Sequence, residues 1–124
     1  MEIRIYYEDT DSGGVVYHSN YLKFCERARS ELFFKKDIDI FNEKTGHFLV
    51  TKANCRFLKS AKLGDILRVK TKLLEIKNVS ALIRQEIFKD NEKIFDADFT
   101  LAFLKDSKIS RIDEKLKEIF EELM

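Results

Sequence analysis

Apolar residues recur along this chain with two different periods. Residues 2–7 alternate, with Ile3, Ile5 and Tyr7 on one side, which predicts a short strand. Over residues 21–36 the spacing turns helical: Tyr21, Phe24, Cys25, Ala28 and Leu32 form one stripe, and Glu26, Arg27, Arg29 and Lys36 fall mainly off it. Such a helix needs a flat apolar partner, and the rest of the chain supplies one. Leu49, Thr51, Ala53, Cys55 and Phe57 alternate with Val50, Lys52, Asn54 and Arg56. Leu67, Val69, Thr71 and Leu73 alternate with Arg68, Lys70 and Lys72. Ala81, Ile83, Gln85 and Ile87 oppose Leu82, Arg84 and Glu86, and Phe95, Ala97, Phe99, Leu101 and Phe103 oppose Asp96, Asp98 and Thr100.

Turns at 59–65, 77–78 and 89–91 join these segments into an antiparallel meander. A closing helix over 111–123 carries Ile112, Leu116, Ile119, Phe120 and Leu123 on one face, with Ser110 and Asp113 spaced as a capping box. The expected class is α+β: one long helix wrapped by a curved five-stranded antiparallel sheet, with a C-terminal helix. A free sheet edge would invite pairing with another chain.

At 124 residues the chain fits one domain, 1–124, with one core. Hydrophobic residues at 44% and charged residues at 36% argue against disorder. A net charge of +1 recommends neither nucleic acid nor an anionic membrane as partner. No apolar run reaches the roughly 18 residues of a spanning helix. The start, Met1-Glu2-Ile3-Arg4-Ile5, lacks the basic-then-apolar layout of a signal peptide, so the expected location is cytoplasmic. Cys25 and Cys55 are too few for a disulfide framework and read as core thiols. The two histidines and two cysteines make no zinc spacing, and neither a metal nor a cofactor is expected.

Candidate chemistry concentrates in Tyr7-Glu8-Asp9-Thr10-Asp11-Ser12-Gly13-Gly14-Val15-Val16-Tyr17-His18-Ser19-Asn20-Tyr21-Leu22. Here a carboxylate and an imidazole are seven residues apart, joined by a diglycine turn that runs into the long helix. A helix N-terminus offers unpaired N–H donors and a partial positive charge. An acid, a histidine and such donors together could let water attack a polarised carbonyl. From the residues alone the bland alternative weighs more: acids near helix starts mostly serve as caps, and Asp11 in Asp-Ser-Gly-Gly could simply stabilise a turn.

The motif, followed by Phe24-Cys25-Glu26-Arg27-Ala28-Arg29, resembles the signature of the hotdog-fold acyl-CoA thioesterases, most closely the YbgC type of the 4-hydroxybenzoyl-CoA thioesterase superfamily. The likeness is dense over residues 4–34 and alignable to about residue 105. It implies the hotdog fold, a homodimer or dimer of dimers, and hydrolysis of acyl-CoA. Asp11 matches the family's base or nucleophile. The backbone N–H of His18, with Tyr17 or Ser19 beside it, is expected to hold the oxyanion, and the His18 imidazole to position water or tune Asp11. Gly13 and Gly14 let the chain approach the substrate, while Tyr17 and Asn20 shape the pocket. Asp9 is expected to be structural. Glu26, Arg27 and Arg29 either tie the helix to a neighbouring subunit or face water, and His47 reads as strand-end packing.

For CoA phosphates, Lys77 and Ser80 match superfamily positions, and Arg56, Lys59 and Lys62 form a second basic cluster that could equally be a solvated face. The chain departs from the family pattern at two places near these contacts: Ser60 stands where many relatives have proline, and Asn78 where glycine commonly follows the basic residue. Two other functions remain open. One is a thioesterase for acyl groups on acyl carrier protein, an acidic partner that the basic strand faces could receive. The other is a module that binds acyl-CoA, or serves an envelope complex, without turnover.

Overall fold

The computed structural model describes residues 1–40 and 44–123. Among these residues six strands form one sheet: β1 (Glu2–Arg4), β2 (His47–Phe57), β3 (Ile66–Ile76), β4 (Ser80–Lys89), β5 (Glu92–Lys105) and β6 (Lys108–Ile109). The helices are α1 (Asn20–Phe34) and α2 (Glu114–Glu121). All pairings are antiparallel, in the order β1-β3-β4-β5-β2, and the two-residue β6 adds to β5. The four long strands lie where alternation placed them. The sixth strand was not expected, because two residues are too few to show a period.

Paired residues share a face, so the register resolves the sheet into rows. The inner rows are Val69–Ile87–Phe95–Phe57, Thr71–Gln85–Ala97–Cys55, Leu73–Ile83–Phe99–Ala53 and Ile76–Ala81–Leu101–Val50. Against them α1 buries Tyr21, Phe24, Cys25, Ala28 and Phe33. Phe24 is fully enclosed, and truncating such a ring to alanine costs about 3–5 kcal/mol. No helix among the described residues is long and apolar enough to cross a membrane.

Several local expectations are corrected. β1 stops at Arg4, and Tyr7 lies 81% exposed in a 3-10 turn over Tyr7–Asp9, where the chain leaves the sheet. A bulge between Val50 and Lys52 switches the faces of β2. Phe48 and Val50 thus point inward with Ala53, Cys55 and Phe57, while Leu49 points outward with Lys52. Strict period-two reading cannot see this, because one inserted residue inverts the alternation. A bulge between Leu73 and Glu75 likewise leaves Leu74 exposed and turns Ile76 in. The capping box is not made. Asp113 occupies the N-cap without a side-chain cap bond and pairs instead with Lys105, while Ser110 Oγ donates to the Lys108 carbonyl.

The outer rows are charged. Arg56 makes a bidentate pair with Asp96 across β2 and β5, Arg84 one with Asp98, and Lys93 and Lys72 reach Glu86. The Arg56 hydrogen bond, with help from Lys93, holds the Asp96 carboxyl below the usual carboxylate range, against its burial. The Lys72 hydrogen bond, with Lys93, does the same for Glu86. Both groups bind protons more readily unfolded than folded. Their stabilisation is therefore complete above the unfolded carboxylate values near about 4, and is lost as pH falls through the lower folded ones. Urea melts should give a constant midpoint from neutral pH to about 5 and a falling one below about 4. Asp96→Asn should flatten that acid limb, and an unchanged limb would remove Asp96 from the account.

Candidate active site

The motif folds as a small hairpin ahead of α1. Thr10 bridges Val16, the Asp11 N–H donates to the Val15 carbonyl at 2.9 Å, and the Gly14 N–H to the Asp11 carbonyl at 3.1 Å. Gly14 takes φ +81°, in the left-handed region where a side chain is strained. The hairpin lies along the 58–65 segment joining β2 to β3: Val15 bridges Lys62, and the Val16 N–H donates to the Ala61 carbonyl at 2.8 Å. Beneath it, the Ala61 N–H donates to the Tyr21 hydroxyl, and the Tyr21 ring stacks on Phe95 at 5.2 Å. The motif is thereby fixed at the end of the sheet where β2 finishes.

Asp11 is exposed, and its Oδ1 accepts from the N–H groups of Gly13 (2.8 Å) and Val15 (3.4 Å). Turn stabilisation thus occupies one oxygen. Oδ2 has no hydrogen-bond partner among the described residues. The His18 ring is also exposed and packs 4.4 Å from Tyr17 and 6.1 Å from Phe57. No hydrogen bond joins the Asp11 and His18 side chains. At the helix start, Ser19 already has helical dihedrals, and the Asn20 N–H turns back to the Tyr17 carbonyl. Among the described residues, the N–H groups of His18 and Ser19 have no acceptor. The Tyr21 N–H likewise has none, but those of His18 and Ser19 lie ahead of the first residue of α1.

Other motif residues have different duties. Asn20 is buried and its Nδ2 donates to the Asp9 carbonyl at 2.9 Å, so it ties the helix to the preceding turn. Asp9, also buried, accepts from the Tyr6 N–H at 2.9 Å. Tyr17 presents a half-exposed ring beside His18.

The expected CoA contacts separate. Lys77 and Ser80 close the β3–β4 hairpin, where the Lys77 N–H donates to the Ser80 carbonyl at 2.8 Å, and the Lys77 ammonium lies 3.8 Å from Glu75. They stand at the opposite end of the eleven-residue β3 from the motif, roughly 30 Å away at about 3.3 Å per residue. Within one chain they share no site with Asp11. In the second cluster Arg56 is bound to Asp96 and Lys59 to Glu92. Lys62 is exposed beside Val15 and makes no ion pair among the described residues.

Cys25 is enclosed, and burial pushes its thiol up to about 12, which makes it a poor nucleophile. Among the described residues no group of three or more His, Cys, Asp or Glu is placed to hold a metal. A groove of about 620 Å³ runs along the C-terminal half of α1, lined by Arg29, Phe33, Phe34, Phe48, Val50 and Leu101 among others. It does not reach Asp11 or His18. Sequence reading passed over Gln85, the polar residue on the inward phase of β4, whose signal was that phase.

Comparison with known proteins shows the family of the chain. The profile of the Thioesterase superfamily matches residues 13–95. An acyl-CoA thioesterase YbgC of Helicobacter pylori is 39% identical over all of this chain and 98% of its own. One from Haemophilus influenzae is 38% identical over 81% of this chain and 76% of its own. Among solved structures, a 1,4-dihydroxy-2-naphthoyl-CoA thioesterase from Synechocystis superposes with a TM-score of 0.88 at 20% identity, over 99% of this chain and 95% of that one. The architecture is the hotdog fold, and the chain belongs to the thioesterase superfamily.

Proposed function

We propose that the protein hydrolyses acyl-CoA to the free acid and CoA, with Asp11 and the start of α1 as its reacting groups. The observation carrying this reading is that an exposed Asp11 with one uncommitted carboxylate oxygen and two N–H groups without acceptors, His18 and Ser19, lie on one short segment running into α1. The thioester carbonyl oxygen accepts from those donors. Asp11 Oδ2 takes a proton from water as the water oxygen bonds to the carbonyl carbon. The tetrahedral oxyanion, held by the N–H pair, collapses and breaks the C–S bond. The departing thiolate takes up the proton. Its parent thiol has a pKa near about 8.5, so no strong acid is needed. The His18 imidazole, held between Tyr17 and Phe57, orients the water.

The working unit is a homodimer or a dimer of dimers. β2 is an eleven-residue strand whose outer edge is unpaired among the described residues, and it exposes Leu49, Val50 and Phe57. Antiparallel pairing of two β2 edges would set the Phe57 end of one copy against the His47 end of the other. That brings one copy's apolar groove, and the end carrying Lys77 and Ser80, toward the other's Asp11. Two half-sites then make a whole one. With both cysteines free, the chain is read as cytoplasmic.

Thiol release from a panel of acyl-CoA thioesters tests the activity, and no turnover on any of them would reject it. For CoA, phosphate contacts bind ground and transition states alike, so losing one raises KM more than it lowers kcat. Lys62→Ala and Lys77→Ala should each raise KM and weaken its salt dependence. An unchanged KM in either variant would make that cation solvated surface.

A further inference from the structure

The sheet face under α1 is apolar along its rows except at the Thr71–Gln85 positions. Gln85 is 0% exposed, yet every polar atom of its amide is engaged. Nε2 donates to the Cys25 carbonyl on α1 at 3.0 Å and to Thr71 Oγ1 at 3.1 Å. Oε1 accepts from Arg29 Nη1 at 2.9 Å. The Arg29 guanidinium lies 4.6 Å over the Phe99 ring and makes no ion pair among the described residues. This network therefore joins two consecutive turns of α1 to the middle of β4.

Apolar contacts are non-directional, and a helix resting on Ile83, Ile87 and Phe99 alone could slide or rotate at little cost. A buried amide with three partners admits one arrangement, because shifting the helix strands its donors away from water. We propose that Gln85 is a positioning residue for thioester hydrolysis, fixing the height and rotation of α1 and so the aim of the His18 and Ser19 N–H donors. Cys25 lies six residues beyond Ser19, about 9 Å along the helix. A one-residue slip moves the donors by about 1.5 Å and turns them by about 100°. Misplacement by about 1 Å can lower a rate by about 10²-fold. The inference rests on the oxyanion role given above to that helix start.

Two variants test it, each measured for kcat, KM and thermal unfolding, and assayed well below its melting temperature. Gln85→Glu keeps the shape and gives Arg29 a carboxylate partner, so it should fold, but an ionised carboxylate cannot donate to the Cys25 carbonyl. Gln85→Met removes all polarity at similar volume. Expected in both is a fall in kcat of about 10-fold or more with KM within about twofold, since the CoA contacts are untouched and Arg29 is the one groove residue that Gln85 holds. A folded variant with wild-type kcat overturns the role, whatever its melting temperature. If Gln85→Met does not fold, Gln85→Glu decides. Asp11→Ala run in parallel separates the two levels. An inactive Asp11→Ala beside fully active Gln85 variants rejects only the positioning role, whereas an active one rejects the reading of the site itself.

Discussion

Asp11→Asn should lower kcat by about 10²–10⁴-fold, the range of general-base catalysis, with fold and oligomer intact. The reason lies in how the two carboxylate oxygens divide their work. Oδ1 caps the hairpin by accepting from Gly13 and Val15, and asparagine keeps an oxygen there. What it loses is the basicity of Oδ2. The substitution thus separates reaction from turn, and acyl-CoA affinity should survive because the helix donors remain. Asp11→Ala removes both functions, so it should also lose the turn bond, about 0.5–1.5 kcal/mol of stability. It is needed as a control because asparagine before Ser12 can deamidate slowly back to aspartate. His18→Ala keeps the backbone N–H and should fall less than either. Near-wild-type turnover in Asp11→Ala would leave Asp11 as a turn residue only.

The second large effect is expected at the β2 edge. In solution the protein should have a mass that is a multiple of the 14.7 kDa chain at micromolar concentration. Val50 points inward beside the bulge, yet is 38% exposed in the single chain, as a residue at an unfinished seam would be. Val50→Asp would bury an unpaired carboxylate there. The expected cost of about 3 kcal/mol or more weakens association by at least about 10²-fold. Turnover per chain should then depend on protein concentration, because a lone chain holds the donors at one end of α1 and the apolar groove at the other. Light scattering with parallel assays reads both quantities. A stable, fully active wild-type monomer would sink the composite site.

Much of this molecule was legible before its fold was known. The four long strands, the long helix and the closing helix are periodicity made visible. An apolar face has to be buried, and period two or period 3.6 is how a chain writes that face. The hairpin motif was legible for another reason: its diglycine, acid and histidine are local in sequence, so their proximity needs no tertiary contact. Where local rules ran out, errors were local as well. One inserted residue at Val50–Lys52 reversed the face of half a strand, and the Ser110–Asp113 spacing described a cap that Lys105 and the Lys108 carbonyl disrupt by binding both side chains.

Only tertiary structure could divide the candidate residues by what they touch. Asn20 and Asp11 stand nine positions apart in one motif, but Asn20 is spent on the Asp9 carbonyl while Asp11 keeps an oxygen free. Lys62 and Lys77 are both lysines beside turns. Strand register puts one against the hairpin and the other at the far end of β3, a distinction set by contacts across the sheet and not by neighbours in the chain. Gln85 is the sharpest case. In sequence it is a polar residue in an apolar phase; in the fold it is the buried amide joining β4 to α1 through Cys25 and Arg29. Sequence determined which faces had to be buried, because hydrophobicity is a property of each residue. Partners were decided only when the sheet closed over the helix, because hydrogen bonds depend on residues that the chain keeps up to 68 positions apart.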